Sequence, residues 1–154
     1  MNKKLENSLL FMWVVSLVAT LGSLYFSEIR GYIPCTMCWF QRIFMYPIVI
    51  ITTVAVIQKN AKIAMTTAVF SVIGGCISLY HYGVQKIDFL TESAPACGLV
   101  SCTGQYINWL GFITIPFLAL TAFILIAITS FYMIRHFRDV NLPHKISYYR
   151  CNRC

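Results

Sequence analysis

The sequence predicts an all-α integral membrane protein, a bundle of four transmembrane helices with both termini in the cytoplasm. Three observations carry that prediction. Asp, Glu, Lys and Arg make up 11% of the 154 residues, where a soluble domain carries about a quarter. The apolar share is 58%, and it is gathered into long charge-free runs. The basic residues, finally, fall almost entirely on one side of those runs.

A helix needs roughly 20 mostly apolar residues to cross a hydrocarbon layer about 30 Å thick. Every backbone amide there must bond within its own segment, so such runs become helices. Leu9 to Ser27 is charge-free and predicts a first helix over about 8–27. Lys3 and Lys4 precede it as in a secretory signal, but signal cores are about 7–15 residues and end at small residues. This run is longer and ends in Leu24-Tyr25-Phe26, which predicts a retained helix. The second run, Ile43 to Gln58, is short, and a start at Trp39 extends the helix to about 39–58 with Arg42 near the interface. Ile63 to Gln85 contains no charged residue unless His81 is protonated, and predicts a third helix over about 62–83. Thr103 to Ile134 contains none and predicts a fourth over about 107–134. The chain then divides into a membrane domain, 1–135, and a basic tail, 136–154.

The net charge of +7 does not indicate a nucleic-acid partner, because of where it falls. Nine Lys and Arg lie at the amino end, in the middle connection and in the tail, against Arg30 and Lys86 in the other two loops. The positive-inside rule places the richer side in the cytoplasm, so Glu28 to Cys38 and Lys86 to Tyr106 face outward. The tail lies near anionic headgroups, chiefly to fix the topology. Tyr25, Phe26, Tyr32, Trp39, Phe40, Tyr80, Tyr82, Tyr106 and Trp109 cluster at the predicted outer boundary, where amphipathic rings prefer to sit.

Topology sorts the seven cysteines. Cys35, Cys38, Cys97 and Cys102 all face a compartment where disulfides persist. Pro34-Cys35-Thr36-Met37-Cys38 is a C-x-x-C motif at the start of the second helix, where the positive end of the helix dipole stabilises thiolate. That suits a pair that cycles between oxidised and reduced forms. Cys97 and Cys102 lie in a loop with Pro95 and Gly104, either as a structural disulfide or as a second redox pair that meets the first. Exchange between pairs passes through a mixed disulfide. Four thiolates on one face also suit a structural zinc ion, which keeps a metal-binding reading open. Cys76 follows Gly74-Gly75 and is expected as a small core residue beside a close helix contact. Cys151 and Cys154, a second C-x-x-C on the cytoplasmic side, should stay reduced, and either bind metal weakly or, the favoured reading, have no role.

Arg42 lies four residues after Cys38, so the two share a helix face. It either snorkels to the headgroups or serves the cysteine; a fixed positive charge there would stabilise thiolate and a reduced acceptor, which favours the second. Repeated thiol oxidation needs a two-electron sink. The sequence carries no dinucleotide-binding G-x-G-x-x-G and no haem-attachment C-x-x-C-H, which leaves a membrane quinone, ubiquinone or menaquinone. His81, near the outer end of the third helix, either bonds a quinone oxygen or faces the headgroups.

Pro34-Cys35-Thr36-Met37-Cys38-Trp39-Phe40-Gln41-Arg42 resembles the P-C-x-x-C-[WI]-[YF]-[QE]-R signature of the DsbB family of bacterial disulfide-forming oxidases, most closely its short-loop BdbC-type branch. The likeness extends through Leu21 to Glu28, Arg42 to Pro47 and Gly104 to Phe112, and covers most of the chain up to about Arg135. The resemblance implies that Cys97 and Cys102 exchange with an extracytoplasmic thioredoxin-like thiol oxidase. It further implies that Cys35 and Cys38 reoxidise the loop pair and pass the electrons to quinone, with Cys38 facing the quinone and Arg42 assisting. The second loop is short for the family, which leaves open whether Cys97 or Cys102 meets the partner. The tail from Asn141 has no counterpart in the family.

An enzymatic alternative is a quinone reductase similar to the vitamin K epoxide reductases, which carry their C-x-x-C on a late helix rather than at the start of the second. A metal-binding or structural membrane protein is the non-enzymatic one. A transporter fits less well, since only Arg42 and His81 offer ionisable groups near the spans.

Overall fold

The computed structural model describes residues 3–87 and 114–151, with the side chains of all of these but 61 and 139–151. Four long helices account for the predicted spans. Helix α1 (Lys3–Leu24) runs directly into a π-helical turn, Tyr25–Ile29; α2 covers Thr36–Gln58, α3 Ala64–Lys86 and α4 Ile115–Cys151. A 3-10 turn, Ala61–Ile63, leads into α3. Lys3–Ile29, Thr36–Gln58, Ala64–Lys86 and Ile115–Arg138 are each long and apolar enough to cross a membrane. Residues 107–113, where the fourth helix was expected to begin, lie outside the described residues. Beyond Ile134 the helix continues to Cys151, so the backbone of most of the expected tail is helical.

Local chemistry sets the ends of α2. Pro34 disfavours helix for the residue before it. Cys35 then takes an extended conformation (φ −71°, ψ 170°) as N-cap, and the Trp39 N–H bonds its carbonyl at 3.2 Å. The helix thus begins at Thr36 rather than Trp39, which places Cys38 inside its first turn. At the other end Lys59 adopts the left-handed conformation (φ 50°) that glycine usually supplies. Its N–H reaches the Val56 carbonyl while the Asn60 N–H reaches that of Ala55, a Schellman closure.

The helices alternate in direction, and pairs along the chain show it. Glu6 of α1 meets Lys59 just past α2 at 3.2 Å, Trp13 Nε1 donates to Thr53 Oγ1 at 2.8 Å, and Arg42 reaches back to Ser23. Thr67 of α3 receives the Ser130 hydroxyl of α4 at 3.2 Å, and the same hydroxyl lies 3.2 Å from Met12 Sδ of α1. Each helix therefore packs on its chain neighbours, α4 closes against α1, and the diagonal between α2 and α4 is slight.

The interior reverses the pattern of a soluble protein. Ser16, Thr52, Thr67, Ser71, Ser78, His81 and Ser130 are buried alongside Met12, Ile48, Phe123 and Ile126, while Val18, Ile50, Ile57 and Ile128 point outward. Lipid tails are as apolar as leucine, so membrane helices associate through close packing and hydroxyl hydrogen bonds. Gly74 provides the closest packing: its α-carbon faces the buried Phe123 ring, which occupies the space a β-carbon would take. Cys76 is not in the core as expected but exposed on the lipid side. Two residues past Gly74 is about 200° around the helix, so a glycine facing the bundle turns Cys76 away from it.

Candidate functional site

One end of the bundle gathers four of the expected site residues. Cys35, at the N-cap of α2, is buried, and Cys38 follows one turn later with its Sγ 3.2 Å from that of Cys35. Both are thiols in this structure. The S–H of Cys35 donates to Cys38. That bond and burial together push the Cys35 thiol up to about 12, against a smaller downward pull from His81. Negative charge is thereby kept off Cys35, whose proton is directed at the Cys38 sulfur.

His81 comes from the far end of α3, which the antiparallel packing brings beside the start of α2. Its side chain is 1% exposed, so it faces the bundle interior and not the headgroups. Its Nε2 lies 3.6 Å from Cys35 Sγ, and its Nδ1 3.1 Å from the side-chain nitrogen of Gln41. An amide NH2 can only donate, so Nδ1 accepts and the ring proton resides on Nε2, facing sulfur. A single directed chain results, from Gln41 through His81 and Cys35 to Cys38.

Arg42 reaches across to the end of α1. It is half-buried, and its Nε donates to Ser23 Oγ at 2.9 Å, Nη2 to the Ser23 carbonyl at 3.1 Å and Nη1 to Ser27 Oγ at 3.5 Å. The guanidinium also lies over the Trp39 ring, 5.5 Å from its centroid. Ser23 is in the last turn of α1 and Ser27 in the π-helical turn that follows, so the end of α1 forms a cradle for the charge on α2.

Cys35, Cys38, Arg42 and His81 all line one cavity of about 500 Å³. Its walls are largely apolar, including Val14, Val18, Ile115 and Leu118. Two buried hydroxyls on its lining, Tyr46 Oη and Thr114 Oγ1, have no hydrogen-bond partner among the described residues. An apolar cavity with a few convergent polar groups is the usual form of a small-molecule site.

Four of the six expected site residues thus meet at one place; Cys97 and Cys102 lie outside the described residues. So does Cys154, and nothing is described of the Cys151 side chain. Gln41, Ser23 and Ser27 were not singled out from sequence. The signal that could have found Gln41 is its polarity near the start of an apolar helix, three residues past Cys38 and so on the same face.

The profile of the family described as disulfide bond formation protein DsbB matches residues 6–133. A probable disulfide formation protein C of Halalkalibacterium halodurans is 58% identical over 135 residues, which cover 88% of this chain and 98% of that protein. The disulfide bond formation protein C of Bacillus subtilis is 51% identical over 127 residues, covering 80% and 92%. A probable disulfide formation protein of Oceanobacillus iheyensis is 44% identical over 136 residues, covering 88% and 94%. No solved structure matches the chain significantly.

Proposed function

The chain belongs to the DsbB family of disulfide bond formation proteins, and on that premise we propose that it reoxidises an extracytoplasmic thioredoxin-like thiol oxidase and passes two electrons to a membrane quinone. Membership and four spans make it a multi-pass membrane disulfide oxidoreductase. The quinone, the partner and the outward orientation are the proposed part. The observation that carries the quinone is the cavity, which ends on Cys38, Arg42 and His81 and has apolar walls suited to an isoprenoid ring compound. The charge asymmetry of the loops supports placing this end outside the cytoplasm.

In this reading a thiolate of the partner attacks the Cys97–Cys102 disulfide, and the resolved mixed disulfide leaves the partner oxidised and the loop pair as thiols. One loop thiolate then opens the Cys35–Cys38 disulfide, which restores the loop disulfide and reduces the helix pair. A bound quinone supplies a sink for that pair of electrons and for two protons. Cys38 accepts the Cys35 S–H bond and presents its own sulfur at the cavity wall. Arg42, held by Ser23 and Ser27, keeps a positive charge beside it. His81 holds a proton at Nε2 next to Cys35 and takes its orientation from Gln41.

The direct test is anaerobic. The full chain, reduced in detergent, is mixed with a soluble quinone while free thiols and quinol are both counted. Loss of the Cys35, Cys38, Cys97 and Cys102 thiols in step with quinol formation, abolished in Cys38→Ser, is the expected result. Thiols that stay free beside unreduced quinone overturn the quinone assignment.

A further inference from the structure

We propose that the reduced Cys35–Cys38 pair and His81 form a binding site for a single soft divalent cation such as Zn²⁺, with an open coordination position facing the cavity. The three ligand atoms are already gathered: the sulfurs are 3.2 Å apart, Cys35 Sγ is 3.6 Å from His81 Nε2, and all three lie within 4.8 Å of one another. Zn–S bonds of about 2.3 Å and a Zn–N bond of about 2.05 Å at the tetrahedral angle would separate the sulfurs by about 3.8 Å and sulfur from nitrogen by about 3.5 Å. The Cys35–His81 spacing already fits; the sulfurs must part by about 0.6 Å and Cys38 must close on Nε2 from within 4.8 Å, shifts that rotation of the Cys38 side chain can supply.

Two thiolates and one imidazole, with the remaining position left to solvent or substrate, is a known zinc ligand set. Two residues between the cysteines is the spacing zinc sites use. Two thiolates also cancel the charge of a divalent cation, so the occupied site is neutral, as its place at the edge of the apolar layer requires.

Binding exchanges protons and not electrons. Cys35 and Cys38 each lose an S–H proton to solvent, two metal–sulfur bonds form, and the Nε2 lone pair makes the third bond. That lone pair is available only in the other His81 tautomer, with the proton on Nδ1. Gln41 can support it, because turning its amide presents the carbonyl oxygen to Nδ1–H where the NH2 now stands. Gln41 is thus the outer partner that decides whether Nε2 faces sulfur with a proton or a metal with a lone pair. An oxidised pair has no thiolate to offer, so the site exists only in the reduced state. A bound metal holds the pair in that state, since sulfurs engaged with a cation cannot close a disulfide.

The test uses the full chain with Cys76, Cys97, Cys102, Cys151 and Cys154 replaced by Ser, which removes every other thiol. Reduced under anaerobic conditions in detergent, it is titrated with Co²⁺ and then with Zn²⁺. One equivalent of Co²⁺ with the strong visible bands of tetrahedral thiolate coordination is expected, bleached by Zn²⁺ and absent from the oxidised protein. His81→Ala should shift the bands and weaken binding at least tenfold. Gln41→Leu should weaken it about tenfold and Gln41→Glu tighten it, as outer partners of metal-bound histidines do. Absence of tetrahedral bands, or a spectrum and affinity that neither His81→Ala nor the Gln41 variants change, overturns the proposal. No quinone enters this assay, so its outcome is independent of the electron acceptor.

Discussion

The Cys35 thiol has two separable reasons to hold its proton, and they predict different consequences of one substitution. Its S–H bond to Cys38 ranks first and its burial second. In the reduced protein, alkylation of Cys35 should therefore keep rising with pH well beyond the range of an ordinary thiol, about 8.5, toward 12. Cys38→Ala removes the first cause and leaves the second, so the midpoint of the iodoacetamide rate profile should move down without reaching the free-thiol value. A midpoint that does not move would assign the whole effect to burial. Arg42 presents a second residue-scale choice, between charge and shape. A lysine keeps the charge but cannot span Ser23 Oγ, the Ser23 carbonyl and Ser27 Oγ together, because those bonds need the planar fork. Losing charge-assisted bonds of about 1.5–3 kcal/mol should raise the quinone KM of Arg42→Lys roughly ten- to hundredfold. An unchanged KM would show that Arg42 only ties α1 to α2.

Helix α3 depends on a close approach to α4, which one glycine permits. Adding a methyl group to Gly74 sets it against the buried Phe123 ring, which must move to admit it. Gly74→Ala should cost about 1–3 kcal/mol by overpacking, read as a fall in thermal midpoint in detergent. Gly75→Ala should be tolerated, since its β-carbon would meet Phe123 at an ordinary 3.6 Å. Equal loss in both would mean that helix flexibility and not contact is at stake. The two glycines also mark where the sequence is readable and where it is not. Charge-free runs reveal four spans, because desolvating a charge in lipid outweighs any local preference. The adjacent glycines reveal a close contact, but which one faces it depends on the rotation of α3, and so does the exposure of Cys76. Register between helices is likewise what joins Arg42 to Ser23 and Ser27. Those serines belong to another helix and are ordinary residues within it, so no local pattern marks them. Cys35, Cys38 and Arg42, by contrast, lie close together on the chain at one helix start, and their spacing alone conveys their proximity. His81 could be read as interior or interfacial until α3 was seen to turn it toward Gln41.

At the scale of the whole molecule, the described bundle keeps a cavity at the end where Cys35, Cys38, Arg42 and His81 converge. Side chains of α1, α2 and α4 line the cavity, and His81 of α3 stands at its polar end. Away from the cavity lining, Met12, Ile48, Ile126 and Met133 are wholly buried. An apolar cavity of about 500 Å³ with a few convergent polar groups has the form of a site for a small-molecule occupant. If that occupant is the electron acceptor, filling the cavity should separate the two halves of the reaction. Ala119 lines it from α4, is not fully buried, and lies outside the cysteine, arginine and histidine contacts. Ala119→Phe would extend a ring into the space while leaving Cys35, Cys38, Arg42 and His81 in place. Quinone reduction should then fall at least tenfold through KM, since the displaced ring loses an apolar contact surface worth about 1.5–3 kcal/mol. Exchange between the helix pair and the loop pair, followed by mixed-disulfide trapping without quinone, should continue at its original rate. Loss of both activities would indicate a misfolded bundle. An unaltered KM would move the acceptor to another face, leaving the cavity without the role proposed for it.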